Sequence, residues 1–211
     1  MRTYHANEIG NVAVLGHSGC GKTSIIEAMA YRSGLIKRAG TINEGNTISD
    51  YSDEEINRKS SVNLSIIPVE WNNCKINLID VPGTFDFVGE CEAALSVCES
   101  ALIIDPATPG ISAGTKQAMY KARDKAKIIY INGLDHPNSD YPTKLQQLKD
   151  TYGKVIAPIQ VPIMENNKMI GYVNVAKMEG RIFDGDHTIP GDIPEDLMDE
   201  ILPIKEMIDE A

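Results

Sequence analysis

Residues 16–23 read Gly16-His17-Ser18-Gly19-Cys20-Gly21-Lys22-Thr23, a complete G-x-x-x-x-G-K-[ST] pattern. The apolar run Val-Ala-Val-Leu, with Asn11 ahead of it, fills residues 11–15, and a helical pattern covers 24–31. A strand that feeds a glycine-rich turn lets backbone N–H groups curl around phosphates. The helix that follows aims its free N–H groups and positive dipole end at the same anion. In that setting Lys22 reaches the β- and γ-phosphates, and the Thr23 hydroxyl becomes a Mg²⁺ ligand. The strand-to-helix context, more than the letters, separates a phosphate cradle from a flexible turn.

Working outward, the 211-residue chain is long enough to bury a full core, and its 42% hydrophobic and 24% charged content is ordinary for a globular protein. No apolar run reaches membrane-spanning length and the N-terminus lacks a signal-peptide core, so a cytoplasmic protein without membrane association is expected. The net charge is −10. Residues 192–211 carry eight acidic side chains against one lysine, which leaves the remainder only mildly acidic. Neither part is a basic surface, so strong autonomous nucleic-acid binding is not expected. Cys20, Cys74, Cys91 and Cys98 lack metal-ligand spacing; Cys91 and Cys98 read as small packing groups, and Cys20, near a helix N-terminus where a thiol can be reactive, reads as a filler position of the loop.

Strand-like and helical patterns alternate along the chain. Strands are expected at 11–15, 64–71, 75–80, 101–105 and 127–132, and helices at 22–31, 85–98, 112–125 and 143–152. Asn72-Asn73 reads as a tight hairpin turn. The 37–61 stretch is polar and loop-like. This rhythm argues an α/β fold of the P-loop NTPase type, a mainly parallel sheet with helices on both faces and one antiparallel hairpin. After residue 154 the rhythm changes: 155–163 and 169–175 flank the turn 165–168, and 180–183 adds a strand, giving a small antiparallel unit. Leu197, Ile201, Ile204 and Ile208 then form one apolar stripe of a helix over 194–208 that runs to the chain's end. A helix with an apolar face and nothing after it is expected to belong to a longer protein.

Two further motifs fall at strand ends, where ligands bind in such sheets. Asp80-Val-Pro-Gly83 places a carboxylate that can hold Mg²⁺, commonly through water, three residues before a glycine whose N–H can approach a γ-phosphate. Asn132-Gly-Leu-Asp135 follows the 127–132 strand. Asp135 can accept both the N1–H and the exocyclic amine of guanine, a pair adenine does not offer, and Asn132 would brace the loops.

The ordered set GHSGCGKT, DYSDEEINRKSSVNLS, DVPGTFDFVGE and NGLD resembles the GTP-binding domain of translational GTPases, specifically elongation factor G and its elongation factor G-like paralogues. The resemblance covers nearly the whole chain. It implies a nucleotide site of Gly16, His17, Ser18, Gly19, Cys20, Gly21, Lys22, Thr23, Asp80, Gly83, Asn132 and Asp135. It implies Mg²⁺ held at Thr23, Ser61 and Asp80, with GTP or GDP as ligand and the ribosome as partner of the full-length protein. Residues 1–154 would be the GTP-binding core and 155–211 an incomplete inserted subdomain. The fifth guanine loop and the later domains would lie after Ala211.

The departures from the family pattern carry their own expectations. Switch I of the family reads R-G-[IV]-[ST]-[IV]; Arg58-Lys-Ser-Ser-Val62 stands here, with Ser61 at the hydroxyl position and Lys59 in place of glycine. Switch II reads D-x-P-G-H in active factors, and that histidine positions the attacking water; Thr84 stands here. Gly133 replaces the lysine of N-K-x-D, and Gly19 an aspartate that assists a monovalent cation. His17 reads as an orienting or solvent-facing residue rather than a substitute base. The expectation is a GTP-binding switch domain that hydrolyses slowly. The alternative is a non-hydrolysing nucleotide-binding or regulatory ribosome-interaction module. An ATPase is disfavoured by Asp135.

Overall fold

The computed structural model describes residues 2–166 and 168–210; Asn167 of the 165–168 turn and the terminal residues Met1 and Ala211 lie outside them. Two compact units form, one from 1–106 with 111–132, the other from 107–110 with 133–211. The second unit thus takes in the helix after residue 140, which the sequence reading groups with the core.

In the first unit five strands order as β2-β3-β1-β4-β5. They are β1 (Ile9–Gly16), β2 (Ser65–Trp71), β3 (Cys74–Asp80), β4 (Ser100–Pro106) and β5 (Ala126–Asn132). β1 runs parallel to β3 and β4, β4 parallel to β5, and only β2 is antiparallel. Asn72 and Asn73 both take positive φ, 47° and 66°, the left-handed pair that a two-residue hairpin turn requires and asparagine tolerates. Helices cover both faces. α1 (Lys22–Arg32) buries Ile26 and Ala30 against Val14, Ile67, Leu78 and Ile104. On the other face α3 (Val88–Val97) and α4 (Ala113–Lys121) bury Ala94, Leu95 and Ala118 against Ala13, Leu15, Ile79 and Ile103. Cys98 is buried in this second cluster, with Cys91 packed at its margin.

The 37–61 stretch is not simply a loop. It holds a 3-10 turn (Ile42–Glu44) and a short helix α2 (Asp53–Arg58). Ser52 and Glu55 form a capping box on α2, each side chain bonding the other's backbone N–H. Three acidic residues in its first turn match the helix dipole.

In the second unit α5 (Tyr141–Tyr152) starts at an Asp140 cap with proline in its first turn. A four-stranded antiparallel sheet follows in chain order: β6 (Gln160–Glu165), β7 (Lys168–Asn174), β8 (Glu179–Asp184) and β9 (His187–Gly191). β9 goes beyond the three strands expected from sequence. α6 (Glu195–Asp209) lays Ile201 and Ile204 against Val161, Ile163, Val173 and Val175, with Leu197, Ile208 and Tyr141 at the margin.

Candidate functional site

The phosphate loop leaves the C-terminal end of β1 and opens α1, as its sequence requires. Gly21, the residue before α1, has φ 97°, and a Cβ there would run into the Asn132 amide. Glycine is needed twice over, for the backbone conformation and for the approach of β5. Asn132 Nδ2 donates to the Cys20 carbonyl at 2.9 Å, so the end of β5 braces the loop directly. Gly16 has φ 143°, and a Cβ on it would strike the Ile104 carbonyl of β4. Ser18 and Gly19 are exposed at the tip, and His17 is half-buried. A Cβ on Gly114, at the start of α4, would lie 2.7 Å from the His17 amide nitrogen, so α4 seats closely on this backbone. Cys20 is buried and its thiol pKa is raised by that burial, the behaviour of a packing group.

Lys22 is buried, and its ammonium donates to the carbonyls of Gly16 (3.1 Å) and His17 (3.0 Å). The charge is thereby folded over the loop. Gly83 closes in from the other side: a Cβ there would collide with Lys22 Nζ and lie 2.7 Å from the Ser18 amide nitrogen. The D-x-x-G turn and the phosphate loop therefore meet at Lys22.

Beside them sits a chain of oxygens. The Thr23 hydroxyl donates to Asp80 Oδ2 at 2.8 Å and lies 3.3 Å from the Ser61 hydroxyl, which donates to Asp50 Oδ1 at 2.7 Å. All four side chains are buried. Burial pushes the Asp80 carboxyl up to about 6, against the lowering effect of the Thr23 bond. Asp50 is raised too, by burial first and by the Glu55 charge, against the Ser61 bond. Asp80 Oδ1 is buried and meets no hydrogen-bond geometry among the described residues; the Ser49 hydroxyl is near enough to favour its charge but makes no bond by geometry.

These observations fit a hard divalent cation. The donors are all oxygens, one carboxylate oxygen is left over, and the Thr23 bond and the Lys22 charge offset only part of what burial costs the Asp80 carboxylate. No cluster of three His, Cys, Asp or Glu side chains suited to a metal occurs among the described residues. Mg²⁺ needs none, because one or two carboxylates suffice for it and other oxygens, water and phosphate complete its shell.

Thr84 is half-buried and lines a cavity of ≈ 30 Å³ together with Gly83, Phe87, Cys91, Gly114 and Lys121. Its Oγ1 has no hydrogen-bond partner among the described residues. Asp135 falls in the second unit, exposed, in the turn closed by the bond from the His136 amide to the Gly133 carbonyl at 3.0 Å. Gly133 has φ 76°, a conformation glycine adopts freely.

Sequence reasoning does not single out Asp50, Ser49, Glu27 or Glu90. Glu27, on α1, accepts the amides of Gly40 and Ile48, and Glu90, on α3, that of Leu64. No local pattern marks such residues, since their partners are set by tertiary structure.

A mainly parallel sheet that presents a glycine-rich loop, a lysine, a hydroxyl and a strand-end aspartate at the carboxyl ends of its strands defines a P-loop nucleotide-binding domain. Residues 7–203 match the elongation factor Tu GTP binding domain, and the chain belongs to that family. It is 32% identical over 173 residues to the elongation factor G-like protein of Mycobacterium tuberculosis, covering 81% of this chain and 24% of that one. It is 27% identical over 205 residues to elongation factor G of Mycoplasma genitalium, covering 95% of this chain and 30% of that one. A crystal structure of a Thermus thermophilus protein superposes with a TM-score of 0.89 at 29% identity, over 96% of this chain and 31% of the other. The chain thus spans about a quarter to a third of the length of the relatives it matches. No helix among the described residues is long and apolar enough to cross a membrane.

Proposed function

We propose that this chain is the guanine-nucleotide-binding domain of an elongation factor G-like translation factor that acts on the ribosome in the cytoplasm and hydrolyses GTP slowly. The observation that carries this reading is the meeting of Lys22, Thr23, Ser61, Asp80 and Gly83, drawn from three separated stretches, at the end of β1. The backbone of 16–23 would cradle the phosphates, with Lys22 released from the Gly16 and His17 carbonyls to reach them. Thr23, Ser61 and Asp80 would hold Mg²⁺, which when bound neutralises charge on the phosphates. Asn132 would steady the loop, and Asp135 would choose guanine over adenine.

Slow hydrolysis follows from Thr84. A threonine hydroxyl cannot carry positive charge and is too short to orient water as an imidazole does. Losing a water-positioning group costs on the order of several kcal/mol of transition-state stabilisation. Action on the ribosome rests on the relatives' names, among them elongation factor G and ribosome-releasing factor 2, and would run through the full-length protein.

Titration with a fluorescent GDP analogue in MgCl₂, with GTP and ATP as competitors, tests the reading. Competition by GTP and not by ATP is expected. Equal competition by ATP would overturn the guanine assignment. Absence of any binding would favour the alternative of a regulatory module that no longer holds nucleotide.

A further inference from the structure

The Ser61 hydroxyl reaches Thr23 from a segment, residues 40–64, that contains only one 3-10 turn and the six-residue α2. Backbone N–H groups in such a segment need acceptors from elsewhere. One internal tie and one to the start of β2 make it compact. Glu55 gathers the amides of Ser52, Val62 and Asn63, and the Ser65 hydroxyl donates to the Ser49 carbonyl. Neither anchors it to α1 or α3.

Two other carboxylates do. Glu27, only 3% exposed on α1, accepts the Gly40 amide through Oε1 at 2.7 Å and the Ile48 amide through Oε2 at 2.9 Å. Glu90, in the first turn of α3, accepts the Leu64 amide through Oε2 at 2.9 Å. Apolar contacts assist at the same places: Ile48 packs with the α1-side core and Leu64 with the α3-side core. Such contacts are non-directional, whereas charge-assisted bonds to backbone amides fix the rotation and register of the chain.

We propose that Glu27 and Glu90 are positioning residues of the metal–nucleotide site: by holding the two ends of the 40–64 segment they hold the Ser61 hydroxyl beside Thr23 and Asp80. Glu27 sits four residues after Thr23 on the same helix. Glu90 sits seven residues after Gly83, so the tie to Leu64 joins the stretch bearing Ser61 to the stretch bearing Thr84. The metal arm rests on the proposed function; the positioning arm does not.

Amide hydrogen exchange on the nucleotide-free chain reads the positioning directly. Glu27→Gln leaves one carbonyl oxygen for two amides, so exchange at Gly40 and Ile48 should accelerate about tenfold or more, with β1 and α1 amides unchanged. Glu90→Ala should do the same at Leu64, and Glu90→Gln, which keeps one acceptor oxygen, should restore protection. If Glu27→Gln disturbs β1 and α1, Glu27→Asp shortens the reach while keeping the charge and should show the same local loss. Unchanged exchange at all three amides overturns the proposal.

The second readout is the MgCl₂ concentration giving half-maximal binding of the fluorescent GDP analogue. It should rise about tenfold in Glu27→Gln and Glu90→Ala, return in Glu90→Gln, and leave affinity at saturating MgCl₂ within about twofold. Faster exchange with an unchanged Mg²⁺ requirement also overturns it. If the wild-type chain binds no analogue at any MgCl₂ concentration, the proposed function fails, and the exchange pattern alone decides the positioning role.

Discussion

Glu55 accepts the amide N–H groups of Val62 and Asn63 at 3.0 and 3.1 Å, so a fully buried carboxylate in α2 folds the Ser61 stretch back on its own helix. Burial alone would raise its pKa. The amides of Val62, Asn63 and Ser52 and the Ser52 hydroxyl outweigh that and hold it below the ordinary glutamate value.

A depressed folded pKa means that the stabilisation is present above the unfolded value and is lost as pH falls through the folded one. Glu55→Gln should therefore destabilise the chain at pH 7 by about 2–3 kcal/mol. The gap to wild type should narrow as pH drops below 4.5, the ordinary value. Urea unfolding at pH 7 and at pH 3.5 measures it, and a gap independent of pH would contradict the assignment.

Lys59 ends α2 at φ 52°, a left-handed conformation costly for a side chain with Cβ. Lys59→Gly removes that strain while loosening the unfolded chain, for a net gain of about 0.5–1 kcal/mol. The urea midpoint should rise at unchanged m-value. A fall would mean that the Lys59 side chain contributes more than its backbone costs.

How far these features are legible in sequence depends on how local their causes are. The phosphate loop, β1, α1 and the Asn72-Asn73 hairpin rest on periodicity and turn chemistry within a few residues, and the structure has them where the sequence puts them. The small helix α2 escapes the sequence reading although Ser52-x-x-Glu55 is a capping-box signature, because the polar surroundings offer no apolar stripe. β9 escapes it because a short, mostly exposed edge strand with Pro190 lacks alternation. Asp50, Glu27 and Glu90 are illegible for another reason: each bonds a group 11, 13 or 26 residues away in sequence that only the fold brings near.

Gly83 packs on Lys22 and on the Ser18 amide so closely that no Cβ fits without displacing one of them. Gly83→Ala should weaken the fluorescent GTP analogue about tenfold or more and the GDP analogue less, since this turn is proposed to face the γ-phosphate. Equal affinities of variant and wild type for both analogues would separate Gly83 from the site.

Asp80 holds a buried negative charge whose carboxyl is pushed up to about 6, a cost borne by the nucleotide-free protein at neutral pH. Asp80→Asn keeps an acceptor for the Thr23 hydroxyl and removes the charge. The Tm of the nucleotide-free chain at pH 7.5 should rise by several degrees, on the order of 1–3 kcal/mol in stability. Mg²⁺-dependent binding of the GDP analogue should be lost in the same variant. Stability and function are thus set against each other at one residue. A lower Tm would show that the ionised carboxylate already has a compensating partner.

Thr84 offers the sharpest test of the proposed slow turnover. Its side chain borders a small cavity, and Oγ1 makes no bond among the described residues, so nothing in its surroundings requires the hydroxyl. An imidazole at this position could lean toward the phosphate loop past Gly83 and orient a water as the histidine of active relatives is expected to do. Positioned acid–base or water-orienting groups contribute about a hundredfold or more to such reactions. Single-turnover hydrolysis by Thr84→His, with Mg²⁺ and GTP saturating, should therefore exceed wild type by at least about tenfold, while affinity for the GDP analogue stays within about twofold. Raised hydrolysis with altered GDP affinity would point to a repacked turn instead. Matching rates would mean that Thr84 does not limit hydrolysis and would overturn the proposed cause of slow turnover.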